Sequence, residues 1–387
     1  MKRFKLRALA LAFTVAGIAA PAWADINVGL SLCATGPGAA LGIPEKNSVV
    51  LFSTNIAGEK VNYFVLDDGT DPTQAGKNAR KLVTENNIDI LIGSSSVPPT
   101  LAMAEVAHES KTPQITVAPV ELQGEKNHWV FRAPQHNFLM AQALAEHMKA
   151  TKVKTLGFIG YTDAYGEGWL KEMTRAAEAV GIKVIAAERF NRTDTSVTAQ
   201  ALKLVSVKPD AILVAASGTP SVMPQLTLQE RGFKGQIYQT HGTTTKEFMR
   251  VGGKGVEGTI LPAGPVIVAD QLPNSHPSKK VAQDYIRRYE EKYGPGSLSA
   301  FGAQIYDAFL LFEAAVPVAL KTAKPGTPEF RKALRDAIES GKEVVGTHGV
   351  FNMSPTDHYG HDARARVLVK VENGDWKLIS AVSDSSK

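Results

Sequence analysis

The chain has 387 residues, with 43 lysines and arginines against 38 aspartates and glutamates, and a single cysteine. Four of the basic residues fall within the first seven positions, so 39 basic residues face 38 acidic ones in the rest of the chain. No basic tract of five or more residues survives there, which argues against nucleic acid and anionic lipid as partners. The lone Cys33 excludes an intrachain disulfide, and its apolar surroundings predict a small buried side chain.

The first predicted element is a secretory leader over residues 1–24. Its basic start precedes an apolar run over residues 8–20, and Ala22-Trp23-Ala24 ends that run with the small-x-small pattern of a signal-peptidase site. The apolar run is too short to span a bilayer as a permanent helix. The alternative, a buried N-terminal helix, would leave four cations without partners. We therefore expect a cleaved signal peptide and an exported protein.

Short apolar runs rich in valine and isoleucine predict nine strands along the rest of the chain. Most of these runs are nearly continuous rather than alternating, as expected of strands that are covered on both faces. The predicted strands are residues 26–32, 61–66, 88–92, 114–117, 155–159, 184–187, 211–214, 236–238 and 259–261.

Helical patterns separate many of these strands, at residues 71–86, 141–149, 166–180, 195–207 and 223–231. This alternation predicts an α/β fold with parallel sheets and right-handed crossovers. Two similar halves emerge, residues 25–132 and 154–261. Three consecutive helices then follow at 278–293, 298–320 and 328–340, and a final hairpin turns at Asn373-Gly374. The length favours two domains of ordinary size.

A serine loop follows the predicted strand that ends at Gly93. Ser94, Ser95 and Ser96 lie between this strand and Pro98-Pro99, which can open the next helix. Hydroxyls and free backbone N–H groups at the carboxyl end of a parallel strand are typical of anion sites in open α/β sheets. Helix capping by one serine is the alternative, but three serines exceed what a cap needs.

The second half has a counterpart at residues 160–168, which also follow a strand and open a helix. Asp163 is the expected N-cap of that helix. Tyr165 is a rigid, flat side chain with a hydrogen-bonding tip, which suits the wall of a ligand site. Packing between the domains accounts for Tyr165 equally well from the sequence alone.

Two cofactor patterns are considered and rejected. Gly36, Gly38 and Gly42 resemble a dinucleotide fingerprint, and Asp67-Asp68 resembles its ribose-binding acid. The glycine spacing is one residue too long, however, and the leader exports the protein, so no cofactor is expected. Residues 357–362 contain two histidines and two aspartates. Solvated loop polarity explains them better than a metal ion does.

An ordered set of these motifs resembles the periplasmic substrate-binding proteins of ABC transporters, in the branched-chain amino-acid (leucine/isoleucine/valine-binding) family or its aromatic-acid-binding branch. The resemblance covers essentially the whole mature chain. It rests on the leader, Gly36-Pro37, Asp67-Asp68, Asp71-Pro72, Gly93-Ser94-Ser95-Ser96, Phe131-Arg132 and Tyr165-Gly166-Glu167-Gly168.

This resemblance implies a type I periplasmic-binding fold, in which two α/β lobes with parallel sheets are joined by three crossovers and close on a ligand. We expect lobe 1 at residues 25–135 plus 268–350 and lobe 2 at residues 136–267 plus 351–387. The resemblance also implies a set of ligand-binding residues: Leu41, Ser94, Ser95, Ser96, Ala118, Val120, Tyr165, Thr219 and His241.

Three members of that set depart from the family pattern. His241 falls near the place of an acidic residue that normally pairs with the ammonium group of an amino acid, Val120 replaces a threonine, and Leu41 replaces a tyrosine. A buried ammonium without a carboxylate partner would cost several kcal/mol. We therefore predict that the ligand is a carboxylate without an amino group, flat and aromatic, of the benzoate, hydroxybenzoate or cinnamate type.

The predicted function is that of a monomeric, non-enzymatic solute receptor in the periplasm. Its expected partners are a small-molecule carboxylate and the membrane subunits of an ABC permease. A receptor for branched-chain or other hydrophobic amino acids stays an alternative, as does a sensor subunit that presents ligand to a membrane kinase. A more distant alternative is a secreted α/β hydrolase with Ser95 as nucleophile and His108, His241 or His358 as base, although Ser95 lacks the nucleophile elbow.

Overall fold

The computed structural model describes residues 24–381. The leader predicted for residues 1–24 therefore lies, apart from Ala24, outside the described residues. The described chain forms two sheets with helices packed on both faces of each, and this α/β arrangement confirms the predicted fold class.

The first sheet has the strand order β2-β3-β1-β4-β5-β6, and only the short β2 runs antiparallel to its neighbour. Its strands are β1 (Ile26–Leu32), β2 (Asn55–Ile56), β3 (Glu59–Asp67), β4 (Ile90–Gly93), β5 (Gln114–Thr116) and β6 (Val130–Arg132). Strand β1 is central and almost fully buried, which explains why its sequence is apolar without alternation.

The second sheet begins with five parallel strands: β7 (Thr155–Tyr161), β8 (Lys183–Phe190), β9 (Ala211–Ala215), β10 (Gln236–Gln239) and β11 (Ile260–Ala263). A small separate hairpin follows, β12 (Val344–Val345) and β13 (Val350–Phe351). Antiparallel strands β14 (Val367–Glu372) and β15 (Asp375–Ala381) then complete the order β15-β14-β11-β10-β9-β7-β8. The turn between β14 and β15 is the predicted Asn373-Gly374, where both residues have positive φ.

Within residues 24–381, eleven α-helices lie between and after these strands. They are α1 (Ala39–Ser48), α2 (Pro72–Glu85), α3 (Val97–Ser110), α4 (Asn137–Ala150), α5 (Ala164–Ala179), α6 (Thr198–Ser206), α7 (Val222–Glu230), α8 (Lys246–Gly252), α9 (Ser278–Tyr293), α10 (Ala300–Ala319) and α11 (Pro328–Glu339). All nine predicted strands occur. The structure adds helices α1 and α8 and strands β2, β6, β12 and β13 to the predicted elements.

Helix α10 passes through the core of the first lobe. It is long and apolar enough to span a membrane, but 72% of its apolar stretch is buried within the structure. It packs against α1 and α11 and carries buried residues on every side, including Asp307. The helix is therefore a core helix, and one of its faces reaches the site described next.

The chain passes between the two sheets three times in the described residues. Strand β6 leads into α4 on the second sheet, β11 leads back to α9, and the segment after β13 returns to β14. The parallel strands of both sheets present their carboxyl ends toward the space between the lobes. This edge is where open α/β sheets bind their ligands.

Candidate functional site

A small cavity lies between the carboxyl ends of the two sheets. Residues from both lobes enclose it, and all but Arg192 among its lining residues are buried. The lining residues are Leu41, Ser95, Ser96, Val97, Val117, Ala118, Pro119, Tyr165, Arg192, Ser217, His241, Gly242, Phe301 and Gln304. A ligand held here would be removed from bulk water, because the lobes are closed around it.

The first-lobe face of the cavity consists of loops that follow β4 and β5, together with one residue of α1 and two of α10. Ser95 and Ser96 come directly after β4, and Val117 to Pro119 come directly after β5. Strand pairing places these two loops side by side, since β4 and β5 are parallel neighbours. The resulting wall combines two hydroxyls with a mainly apolar surface.

The three hydroxyls of the serine loop have different partners. Ser94 donates to Asp68 Oδ2 at 2.7 Å and lies 3.3 Å from Cys33 Sγ, away from the cavity. Ser95 accepts a hydrogen bond from the backbone N–H of Cys33 at 3.2 Å and shares another with the carboxyl group of Glu45. Ser96 Oγ is buried and has no hydrogen-bond partner among the described residues.

Two acids lie behind this loop. Glu45 on α1 and Asp68 after β3 are both fully buried. Burial, which penalises the charged form, raises the pKa of Asp68 and raises that of Glu45 well above its usual range. Neither acid forms an ion pair within residues 24–381, and Glu45 Oε1 has no hydrogen-bond partner there. The serine loop is therefore hydrogen-bonded to two buried acids that form no ion pair with a cation in the described residues.

The second-lobe face is built around Tyr165. Its N-terminal position on α5 is fixed by Asp163, whose carboxylate accepts from the backbone N–H groups of Tyr165 and Gly166. The phenol Oη lies 2.8 Å from Thr240 Oγ1. Gly242 makes this packing possible, since a Cβ atom there would lie 2.4 Å from the same Oη. Tyr165 thus presents its ring to the cavity in a fixed orientation.

Arg192 brings a positive charge to the cavity. It follows β8, and its Nε donates to Asp163 Oδ2 at 2.6 Å. Its Nη1 donates to Ser217 Oγ at 3.2 Å, and its guanidinium carbon lies 4.0 Å from the centre of the Tyr161 ring. These contacts hold the guanidinium at the cavity wall, where it can meet an anion.

His241 follows β10 and is buried against aromatic rings. Its ring centre lies 5.5 Å from that of Trp169 and 6.5 Å from that of Tyr165. Burial, together with the nearby His348, lowers the pKa of His241 to about 3. The ring is therefore neutral at neutral pH. Its Nδ1 has no hydrogen-bond partner in the part of the chain that the structure describes.

The structure brings six of the nine predicted ligand-binding residues together around the cavity: Leu41, Ser95, Ser96, Ala118, Tyr165 and His241. It places the other three elsewhere. Ser94 points toward Asp68, and Val120 is packed in the core with its carbonyl accepting from Arg132 and Tyr359. Thr219 lines a separate, more open groove next to Lys246 and Tyr293.

Several lining residues were missed by the sequence analysis. Arg192 carries a weak signal, because it is a cation five residues after the predicted strand 184–187, although it lies only two residues after the observed end of β8. Phe301 and Gln304 carry no such signal. The sequence indicates a helix over residues 298–320, but its apolar residues do not show which face of the helix turns toward the cavity. Glu45 was hidden because α1, interrupted by Pro44, was not predicted.

The histidines of residues 357–362 are not solvated, contrary to the sequence-based interpretation. His358 is buried, with Nε2 3.0 Å from Glu339 Oε1 and Nδ1 2.9 Å from the carbonyl of Asn127. His361 packs on Phe351 at 4.2 Å between ring centres. Within the described residues no group of three or more His, Cys, Asp or Glu side chains is arranged to hold a metal ion. His358 ties the segment to β6 and to α11 of the first lobe.

Two parallel α/β lobes that close on a cavity at their carboxyl edges define a two-lobed ligand-binding receptor. Residues 25–375 match the family described as periplasmic binding protein, and the chain belongs to that family. The predicted type I periplasmic-binding fold is confirmed.

Relatives and solved structures agree. An extracellular ligand-binding receptor from Rhodopseudomonas palustris is 47% identical, covers 92% of this chain and 99% of its own, and superimposes with a TM-score of 0.90. The Leu/Ile/Val-binding protein homolog 3 of Brucella melitensis is 24% identical over 91% of this chain and 93% of its own length. A solute-binding protein of an ABC transporter from R. palustris, solved in complex with benzoate, is 21% identical, with a TM-score of 0.78 and coverage of 94% and 98%.

Proposed function

We propose that this protein is the periplasmic receptor of an ABC importer and that it binds a small carboxylate without an amino group, of the benzoate, hydroxybenzoate or cinnamate type. One observation carries the proposal: among residues 24–381 no acidic side chain lines the cavity, whereas the cation Arg192 does. Ser96 Oγ and His241 Nδ1 add two buried polar atoms that lack partners among the described residues. This set of groups favours an anion and offers no counter-charge to an ammonium.

An amino acid would have to bury its ammonium in this cavity without a carboxylate. The effective penalty for an unpaired buried ion is several kcal/mol, which removes most of the affinity of a small ligand. The nearest acids do not relieve this cost. Asp163 is engaged by Arg192, and Glu45 and Asp68 lie behind the serine loop rather than on the cavity wall.

The apolar part of the wall favours a flat ring. Leu41, Val97, Val117 and Phe301 come from the first lobe, and the ring of Tyr165 faces them from the second. Aromatic rings stack and pack edge-to-face at low entropic cost, so a planar ligand gains from both walls. A branched aliphatic side chain would gain apolar burial alone.

The comparisons support a receptor and leave the ligand open. Members of this family bind small ligands and work with ABC permeases. The benzoate complex from R. palustris shows that this fold accommodates an aromatic acid, whereas the names of the curated relatives indicate branched-chain amino acids. The latter class is therefore the second candidate.

Three further parts of the proposal concern the whole protein. The leader over residues 1–24 directs export and is removed, the mature protein works as a monomer, and lobe 1 comprises residues 25–135 plus 268–350. We infer that the protein is a receptor rather than a hydrolase, since the Ser95 hydroxyl is engaged by Glu45 and by the Cys33 N–H and forms no hydrogen bond to a histidine in the part of the chain that the structure describes.

The test is a thermal-unfolding and calorimetric panel on the ligand-stripped mature protein. Benzoate, 4-hydroxybenzoate and cinnamate form one arm, and leucine, isoleucine and valine form the other. A ligand at about 100 times its Kd should add about 2.7 kcal/mol to the free energy of unfolding. A matched pair isolates the decisive group: 3-phenylpropionate and phenylalanine differ in the ammonium alone. We expect stabilisation by the aromatic acids and by 3-phenylpropionate only. Stabilisation by leucine or phenylalanine would overturn the proposed ligand class.

A substitution at residue 241 tests the proposed ligand class by changing the protein instead of the ligand. His241→Glu places a carboxylate where an ammonium partner would lie, so it should weaken aromatic-acid binding and gain affinity for leucine. His241→Gln, which is neutral, serves as the control for loss of the imidazole ring. Unchanged ligand preference in His241→Glu would show that residue 241 does not set the ligand class.

A further inference from the structure

The hydroxyl of Ser95 has one hydrogen, and the structure gives it two partners. The backbone N–H of Cys33 donates to the oxygen at 3.2 Å, and the carboxyl group of Glu45 lies within hydrogen-bond distance on the other side. Ser95 is also one of the residues that line the cavity. What Ser95 offers to a ligand therefore depends on which way the hydrogen bond to Glu45 runs.

The two possible directions have opposite consequences for an anion. An ionised Glu45 accepts only, so Ser95 must donate its single hydrogen to Glu45 and presents a lone pair to the cavity. A neutral Glu45 can donate its own hydrogen to Ser95, and the hydroxyl hydrogen of Ser95 is then free to point at a ligand carboxylate. The first arrangement repels an anion, and the second binds one.

The surroundings of Glu45 favour the neutral form. It is fully buried, and the titratable groups that face it are the thiol of Cys33 from β1 and the carboxyl of Asp68 from the end of β3. Helices α9 and α10, which cover α1, contribute the phenol of Tyr285, which is bonded to Ser48. Within residues 24–381 no cation pairs with Glu45, and its Oε1 has no partner there. An ionised carboxylate in such a place would carry the full cost of desolvation.

We propose that Glu45 is a positioning residue which, in its protonated form, donates to Ser95 and thereby turns the Ser95 hydroxyl into a donor for the ligand carboxylate. This inference rests on the proposed function, since it needs an anionic ligand. In this arrangement a buried, protonated acid orients the hydroxyl that binds the anion. The ligand is then bound together with a proton that stays on Glu45.

Infrared difference spectroscopy between the wild type and Glu45→Gln tests the protonation state directly. At neutral pH we expect the difference spectrum to contain the C=O stretch of a neutral carboxyl group. Addition of benzoate should shift this band in the wild type but not in Ser95→Ala. A carboxylate band for Glu45 at neutral pH would overturn the proposal, whether or not any ligand binds.

Binding measurements test the direction of the hydrogen bond. We expect Ser95→Ala to weaken benzoate binding about 10-fold, because a donor to a charged group is lost. Glu45→Gln, whose amide can donate to Ser95, should lose at most about threefold. If Glu45 were ionised, Ser95→Ala would leave the affinity unchanged and Glu45→Gln would raise it, and either result would contradict the proposal.

The neighbouring acid provides the matched control. Any weakening of benzoate binding as the pH rises should disappear in Glu45→Gln and persist in Asp68→Asn, because ionisation of Glu45 would remove the proton that it donates to Ser95. If the pH-dependent weakening of binding instead persists in Glu45→Gln and disappears in Asp68→Asn, the titrating proton belongs to Asp68 and the proposal is overturned. If the wild type binds no carboxylate at all, the proposed function fails, and the infrared result still reports on Glu45.

Discussion

The two faces of the cavity place an acid behind a hydrogen-bond donor in two different ways. On the second lobe, Asp163 supports Arg192 and forms an ion pair with it. On the first lobe, Glu45 supports Ser95 and has no cation in the described residues. Arg192 is a permanent donor, because guanidinium does not lose its proton near neutral pH. Ser95 can donate to the cavity only while Glu45 is neutral. The comparison teaches that a buried acid without a cationic partner, which favours its protonated form, can contribute to anion binding.

The largest expected effect comes from removing the permanent donor. Arg192→Met keeps the length and packing of the side chain but removes the guanidinium and leaves Asp163 without its ion-pair partner. A charge-assisted hydrogen bond contributes about 1.5–3 kcal/mol, so we expect benzoate to bind about 100-fold more weakly by titration calorimetry.

Arg189→Met is the matched control for this change. Arg189 lies on β8, three residues before Arg192, pairs with Glu167 at the surface and does not line the cavity. Its loss should leave the affinity within about twofold, since exposed ion pairs have little energetic effect. Equal losses in both variants would show that net charge, rather than the position of Arg192, determines binding.

A smaller effect is expected within the serine loop. Ser96→Ala removes a buried hydroxyl that lacks a partner among residues 24–381, so it should weaken benzoate binding about 10-fold without loss of stability. Ser94→Ala removes a donor to Asp68 that does not line the cavity. It should lower the free energy of unfolding by about 1–3 kcal/mol and leave the affinity unchanged. The reverse pattern in calorimetry and urea unfolding would contradict the assignment of these two hydroxyls.

The smallest effect on binding, and a distinct effect on stability, is expected of His241→Gln. The folded protein holds the pKa of His241 at about 3, whereas in the unfolded chain it is about 6.5. The stability that this group contributes is fully present above pH 6.5 and is lost as the pH falls toward 3, because the unfolded chain takes up the proton first.

The measurement is the free energy of unfolding as a function of pH. In the wild type it should fall by up to about 4 kcal/mol more than in His241→Gln between pH 6.5 and pH 3. Parallel curves for the two proteins would show that His241 is not held neutral by burial. The prediction complements that for Glu45, since one face keeps an acid neutral and the other keeps a base neutral.

Much of the fold could be predicted from the sequence because buried parallel strands are continuous apolar runs. Strand β1 was predicted with its observed bounds, and the hairpin at Asn373-Gly374 followed from turn chemistry. Helix α1 was missed because Gly36, Gly38 and Pro44 dominate its local pattern. The short strand β6 was missed because three residues carry too little periodicity.

The site was predictable in part for a similar reason. Hydroxyls and rings at the ends of predicted strands identified Ser95, Ser96 and Tyr165, since parallel strands bring their carboxyl ends to one edge. Ser94 shows the limit of this reasoning: adjacent residues of a loop point in different directions, and only the three-dimensional structure shows that its hydroxyl meets Asp68. Residues that reach the cavity from helix α10 depend on tertiary packing alone.

The enclosure of the cavity also has a kinetic consequence. Its lining residues, apart from Arg192, are buried by contributions from both lobes, so a bound molecule is largely shielded from solvent while the lobes stay together. Dissociation is then expected to depend on separation of the lobes. Two ligands of unequal affinity would differ chiefly in residence time, and the rate at which the receptor releases its cargo would be controlled by whatever opens it.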